Sequence, residues 1–151
     1  MVAGSRIMSV EIPGFGSQTM QVNDVALHVV SGGAGPPVLL LHGFPETHLA
    51  WRKVAPTLAE HHRVVCPDLP GYGVSDKLDG GSERYAKRST AATMVALMHE
   101  LGHDRFSVIG HDRGALVAFR AALDYPDVIT HLGLSRSTLY RQLRPTPAPG
   151  S

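Results

Sequence analysis

Apolar and polar positions alternate along residues 18–22 and again along 25–31, with Asn23 and Asp24 between them. A period of two marks a strand with one covered face. Asn and Asp tolerate the backbone of a tight reversal, so the two segments predict a β-hairpin. Further along, the alternation gives way to an uninterrupted apolar run at residues 38–41, closed by His42, and to further strand segments at 62–66, 106–109 and 128–134. The run at 38–42, bounded by Pro and Gly, suits a strand buried on both faces of a parallel sheet. Between them the period lengthens. Leu49, Val54, Leu58 and Ala59 predict a helix within 46–60. Met94, Leu97, Met98 and Leu101 predict a long one over 83–101. Leu116, Ala118, Phe119, Ala122 and Leu123 predict a third over 112–125. Strands alternating with helices predict an α/β fold with a doubly wound, mostly parallel sheet. The Gly- and Pro-rich stretch 31–37 is short enough to be a loop between adjacent strands, and 67–77 is a second loop. Residues 1–16 lack periodicity and predict a loosely held lead-in. From Ser135 the text turns to Arg, Ser and Thr and ends in alternating prolines, which predicts a disordered tail over 135–151 of frameshifted or artificial origin.

Composition narrows the function classes. A chain of 151 residues is long enough for one domain with a real core. The formal net charge of +1 leaves no electrostatic footprint for nucleic acid or for a membrane surface. No apolar run is long enough to span a bilayer, and the first residues lack a basic-then-apolar signal pattern, so the expected location is cytoplasmic. The single cysteine, Cys66, excludes a disulfide framework and reads as a buried strand thiol.

Chemistry enters at Gly110-His111-Asp112-Arg113-Gly114, between the strand 106–109 and the helix after it. Asp112 has a glycine two residues to either side, the spacing of a nucleophile elbow with Asp in the usual place of Ser. Two glycines are expected where a strand turns straight into a helix, because a Cβ there meets backbone. The turn lifts the central side chain over a helix N-terminus, which favours negative charge. The plainer reading of Asp112 is an N-cap. Upstream, His42-Gly43-Phe44-Pro45 ends a buried strand. The Phe44–Pro45 bond is a cis candidate, and the Phe44 N–H is placed to act with the Arg113 N–H as an oxyanion donor. The plainer reading is a strand end with a Gly-Pro turn. Asp68-Leu69-Pro70-Gly71-Tyr72-Gly73-Val74-Ser75 is, by itself, a turn-rich loop. There is no phosphate-loop lysine and no G-x-G-x-x-G after a strand, which disfavours a dinucleotide-binding domain.

In this order and spacing, the three motifs together with Glu46 and Trp51 resemble the α/β-hydrolase superfamily. The likeness runs over roughly residues 18–134 and is closest to the branch of haloacetate (fluoroacetate) dehalogenases and epoxide hydrolases. It implies an Asp nucleophile at Asp112 that displaces halide through an ester. It also implies an oxyanion hole from the N–H groups of Phe44 and Arg113, and substrate contacts from Arg113, Phe44 and His111. The Arg113 guanidinium would hold a substrate carboxylate. The substrate is a small halogenated acid or an epoxide, with no cofactor and no metal. The His-Asp-Arg form of the elbow favours the haloacetate group.

Two departures qualify the resemblance. The haloacetate group usually carries a second Arg three residues after Arg113, where this chain has Leu116. In the family the sheet continues, a helical cap is inserted and the catalytic His follows the last strand. None of the nine histidines fills that place, and residues 135–137 bring no acid. The expectation is therefore that residues 1–134 are the N-terminal part of such a core, incomplete and without turnover, whose outer strand 128–134 is open to self-association. A non-catalytic binding or interaction remnant is the competing class.

Overall fold

The computed structural model describes residues 12–134. Six strands form one sheet: β1 (Gly16–Val22), β2 (Val25–Gly32), β3 (Pro37–Leu41), β4 (Arg63–Pro67), β5 (Phe106–Gly110) and β6 (Ile129–Leu134). Their spatial order is β1-β2-β4-β3-β5-β6. The first two strands form the expected hairpin, Val22 opposite Val25, with Asn23 at a φ of 55°. β2 pairs antiparallel with β4, and the remaining neighbours are parallel. The mostly parallel α/β sheet is therefore as predicted. One connection is not: the loop after β2 does not join neighbours, because β4 lies between β2 and β3. A short loop can step over one strand, and its length alone does not show which.

Both faces of the central strands are covered. Leu39, Leu41 and Val65 pack with Met94, Leu97, Met98 and Val117 on one side. Val38, Leu40, Val64 and Cys66 pack with Trp51 and Ala55 on the other. Successive strand side chains point to opposite faces, so the apolar residues of β3 and β4 supply both layers. Each fully buried Leu or Val contributes about 1.5–3 kcal/mol relative to exposure. Burial pushes the Cys66 thiol up to about 12, which leaves it protonated and inert. The lead-in is tighter than expected over its described part. Ile12 is buried, and the Phe15 ring lies 2.8 Å from where a Cβ on Gly32 would stand.

The helices depart from prediction in instructive ways. Residues 46–60 do not form one helix but a 3₁₀ turn at His48–Trp51 and a single turn, α1 (Ala55–Leu58). Pro56 has no N–H to give to the Arg52 carbonyl, and its ring obstructs that carbonyl. The preceding residues bond three apart instead, Arg52 to Leu49 and Val54 to Trp51. Val54, expected on the apolar face, is exposed. The long helix starts later than predicted. A 3₁₀ turn, Ser82–Tyr85, is followed by extended backbone at Ala86 and then by α2 (Lys87–Glu100). The Tyr85 hydroxyl accepts the Leu78 N–H at 2.6 Å, tying this first turn to the preceding loop.

After the elbow, α3 (Arg113–Asp124) buries Gly114, Ala115, Val117, Ala118 and Ala121. Leu116, Phe119 and Leu123, named from periodicity, are exposed instead. The elbow sets the phase of this helix: a Cβ on Gly114 would collide with the Leu41 carbonyl oxygen. Only small residues fit where the helix leaves the sheet so closely. β6 bonds to β5 and, among the described residues, to no strand on its other side. No helix among the described residues is long and apolar enough to cross a membrane. The predicted tail at 135–151 lies outside the described residues.

Candidate active site

Asp112 stands between β5 and α3 with φ 55° and ψ −117°, a conformation that non-glycine residues rarely adopt. It does not cap its own helix. Its Oδ2 instead accepts the Phe44 backbone N–H at 3.1 Å, across 68 residues of sequence. The N-cap reading is thus replaced by a long-range contact. Three glycines permit the approach. A Cβ on Gly43 would lie 2.5 Å from the Asp112 Cβ, and one on Gly110 would lie 2.6 Å from the Ala115 Cα. The third, Gly114, presses against β3 as described. The His111 N–H donates to the Leu41 carbonyl at 3.0 Å, which locks the elbow to the end of β3.

The loop that carries Phe44 is braced from three directions. The Phe44–Pro45 bond is cis, as the sequence suggested. Glu46 Oε1 accepts the Gly43 N–H at 3.2 Å and lies 3.9 Å from His111 Nε2. His42 is fully buried, and its two ring nitrogens have different tasks. Nε2 accepts the Leu69 N–H at 3.0 Å, so Nδ1 carries the proton and donates to the Gly43 carbonyl at 2.9 Å. Burial holds its pKa below the ordinary value against the pull of Gly43, Asp68 and Glu46, so the ring is neutral. His42 is a girder between the β3 and β4 loops.

The Arg113 guanidinium lies 5.0 Å over the Phe44 ring, and its Nη1 donates to the Tyr72 hydroxyl at 3.3 Å. Arg113, Phe44 and Asp112, three of the four residues named from the sequence, are therefore in mutual reach. His111, the fourth, directs Nε2 toward Glu46.

Sequence reasoning missed a second polar centre. Asp68, fully buried, accepts the His48 N–H and His48 Nδ1 on Oδ1, both at 2.8 Å, and the Val74 N–H on Oδ2 at 3.1 Å. Ser75 Oγ donates to the Asp68 carbonyl at 2.6 Å and accepts the His28 N–H at 2.9 Å. Burial works against the Asp68 charge, but the bonds from His48 and Val74 outweigh it and hold the carboxyl below the usual range. Gly73, at φ +54°, leaves no room for a Cβ beside this carboxylate. The turn-rich loop is therefore wound around an anion. The one sequence signal was an Asp opening a Gly-rich loop after a buried strand; its partner His48 is 20 residues away. His28, His48 and Asp68 each bring a potential metal-ligating atom within 4.8 Å of the others. Both oxygens of Asp68 already accept hydrogen bonds, so the arrangement acts as a staple as it stands.

Comparison with known proteins agrees with the geometry. The α/β hydrolase fold pattern matches residues 36–149. A fluoroacetate dehalogenase from Burkholderia sp. is 45% identical over 123 residues, 80% of this chain and 40% of that protein. A soluble epoxide hydrolase from Corynebacterium sp. (strain C12) is 42% identical over 111 residues, 74% of this chain and 38% of its own. The solved structure of an epoxide hydrolase from an endophytic Streptomyces superposes with a TM-score of 0.77 at 37% identity, covering 81% of this chain and 37% of that one. The chain thus spans about two fifths of the length of these curated relatives. Because the pattern runs through β3, the loop that carries Phe44 and the elbow that presents Asp112, the chain belongs to the α/β hydrolase fold family.

Proposed function

We propose that Asp112 is the nucleophile of a hydrolase that cleaves the carbon–halogen bond of a small halogenated acid. One observation carries the reading: a carboxylate at a strained apex, turned away from its own helix, with one oxygen on the Phe44 N–H. In the first step Asp112 Oδ1 attacks the carbon that bears the halogen. The new C–O bond forms as the C–halogen bond breaks, and halide leaves with the bonding pair. Oδ2 becomes the ester carbonyl oxygen, and it already rests on Phe44. When water attacks Cγ, the charge develops on that same oxygen, where the N–H groups of Phe44 and Arg113 serve as donors. Arg113 holds the substrate carboxylate, Phe44 also contributes its ring to the substrate wall, and His111 borders the site from the Glu46 side. The 45% identity to a fluoroacetate dehalogenase supports a haloacid.

Epoxide opening by the same Asp112 is the second reading, supported by the 42% identity to a soluble epoxide hydrolase. The electrophile then is an epoxide carbon, and the ring oxygen is the leaving group. A binding role without chemistry is the third.

Mass spectrometry of the chain after incubation with bromoacetate, styrene oxide or neither separates the three. A carboxymethyl adduct on Asp112 is the expected result, and it should persist, because none of the nine histidines is assigned as the water-activating base. An adduct from the epoxide alone favours the second reading. No adduct from either, in a folded chain, sinks both chemical readings. We also infer that the outer edge of β6, with no strand beside it among the described residues, supports self-association. Light scattering that shows only monomer across a wide concentration range contradicts this.

A further inference from the structure

Beside the elbow lies a pocket of about 120 Å³ lined by Leu69, Tyr72, Lys87, Thr90, Arg113 and Val117, among others. Among the described residues, two cations and no carboxylate line it. Three neighbouring arginines differ in being paired with acids. Arg88 and Arg120 both pair with Asp124, at 3.5 and 3.3 Å, and Arg84 pairs with Asp24. Among the described residues no acid pairs with Lys87 or Arg113. Arg113 reaches the pocket along Tyr72, whose hydroxyl it holds, while stacking on Phe44. Thr90 is buried, and it lines the same space. Leu116, three residues after Arg113, is 40% exposed and does not line the pocket.

We infer that this pocket is a carboxylate subsite in which Lys87, from the start of α2, supplies the second positive charge beside Arg113. The Thr90 hydroxyl is its neutral donor. The anion is then gripped between α2 and α3 rather than by α3 alone. Leu69 and Val117 make the pocket partly apolar, which strengthens the attraction of two cations for an anion and their repulsion when it is absent. The roles differ by chemistry. Arg113 offers a planar fork to both carboxylate oxygens, and Lys87 is a point charge on a flexible stem that tolerates several poses. In a reaction at Asp112 the carboxylate so held belongs to the haloacid, and to that extent the inference rests on the reading of Asp112 as nucleophile. The residue acts on specificity: it favours an anionic substrate over its neutral isostere.

Titration of the ¹⁵N-labelled chain with acetate and with acetamide tests the subsite without chemistry. Acetate is expected to shift the amides of Lys87, Thr90 and Arg113 along one saturating curve, and acetamide to bind far more weakly. Lys87→Gln should raise the Kd for acetate about tenfold, the scale of one charge-assisted contact, and lower the acetate-to-acetamide preference by the same factor. Lys87→Arg should recover most of the loss, which a merely structural role would not do. An unchanged acetate Kd in a folded Lys87→Gln chain overturns the inference, as does acetate that shifts no pocket amide in the parent chain. Mass spectrometry with bromoacetate keeps the two readings apart. Acetate saturation with an adduct absent from Asp112 removes the nucleophile and leaves the subsite. An adduct on Asp112 with no Lys87 dependence of acetate binding does the reverse.

Discussion

Two aspartates stand just past the carboxyl ends of parallel strands, one on each side of β3, and they are held in opposite ways. Asp68, after β4, is fully buried and accepts three hydrogen bonds from His48 and Val74. Asp112, after β5, is half-buried, sits at a strained φ of 55° and leans on the Phe44 N–H. A carboxylate surrounded by donors is a poor nucleophile, because its charge is already spent on bonds that attack would break. A half-buried carboxylate on a strained turn is instead presented where a substrate can reach it. The same residue type, at the same edge of the sheet, thus acts as a staple in one loop and as a candidate reagent in the next. Burial and the backbone angle make the difference.

The comparison is broken most severely by exchanging the two fates. Asp112→Asn should abolish carboxymethyl adduct formation, a loss of at least about a thousandfold, as deletions of a nucleophile do. The fold should survive it, and mass spectrometry beside circular dichroism checks both halves. Asp68→Ala should do the reverse. Three buried donors lose their acceptor, and removing one partner of a buried charged cluster costs about 3–5 kcal/mol. Urea denaturation measures that loss. An Asp68→Ala chain as stable as the parent would show that the loop does not depend on its anion. A smaller effect of opposite sign is expected for Asp112→Gly. Relief of the strained backbone, worth about 1–3 kcal/mol, should raise the denaturation midpoint while the adduct is lost.

Acid sharpens the comparison further. The carboxyl of Asp68 titrates below its unfolded value near 3.9, so its contribution is complete above that value and is lost as pH falls through the depressed folded one. His42 is likewise depressed, from about 6.5, but as a base: the unfolded chain takes up its proton first. Stability should therefore begin to decline as pH falls below about 6.5, and decline again below about 4. Urea midpoints measured from pH 8 to pH 3 should show both slopes. His42→Gln should make the first shallower, leaving the part that His103, depressed by burial and by Arg63, contributes, and should not change the second.

Much of this was written in the sequence where the determinants are local. The strand runs, the Asn23-Asp24 reversal and the Gly110–Asp112–Gly114 spacing all act within a few residues, and each stands where its pattern put it. The misreadings share a cause in contacts made at a distance. Pro56 breaks the helical period that Val54 and Leu58 suggest, because a missing N–H outweighs a favourable face. The buried side of α3 is chosen by the carbonyl of Leu41, which Gly114 must approach, and not by the largest apolar side chains of the helix. The Asp68–His48 pair spans 20 residues and offers no spacing to recognise. The step of the chain over β4 is equally silent, since alternation reports faces and not neighbours.

The position of β3 has a consequence for the order in which the molecule is made. Its partners β4 and β5 both come later in the chain, and the donor at Phe44 leaves the ribosome 68 residues ahead of the carboxylate that it holds. At about 5–20 residues per second this is a delay of several seconds, and for most of it β3 has only β4 of its two flanks to pair with. The hairpin of β1 and β2 can close on its own time, whereas the candidate site is assembled only when the last of its parts is synthesised. Until then a growing chain holds the Phe44 N–H without the carboxylate that accepts it, and the candidate site is incomplete.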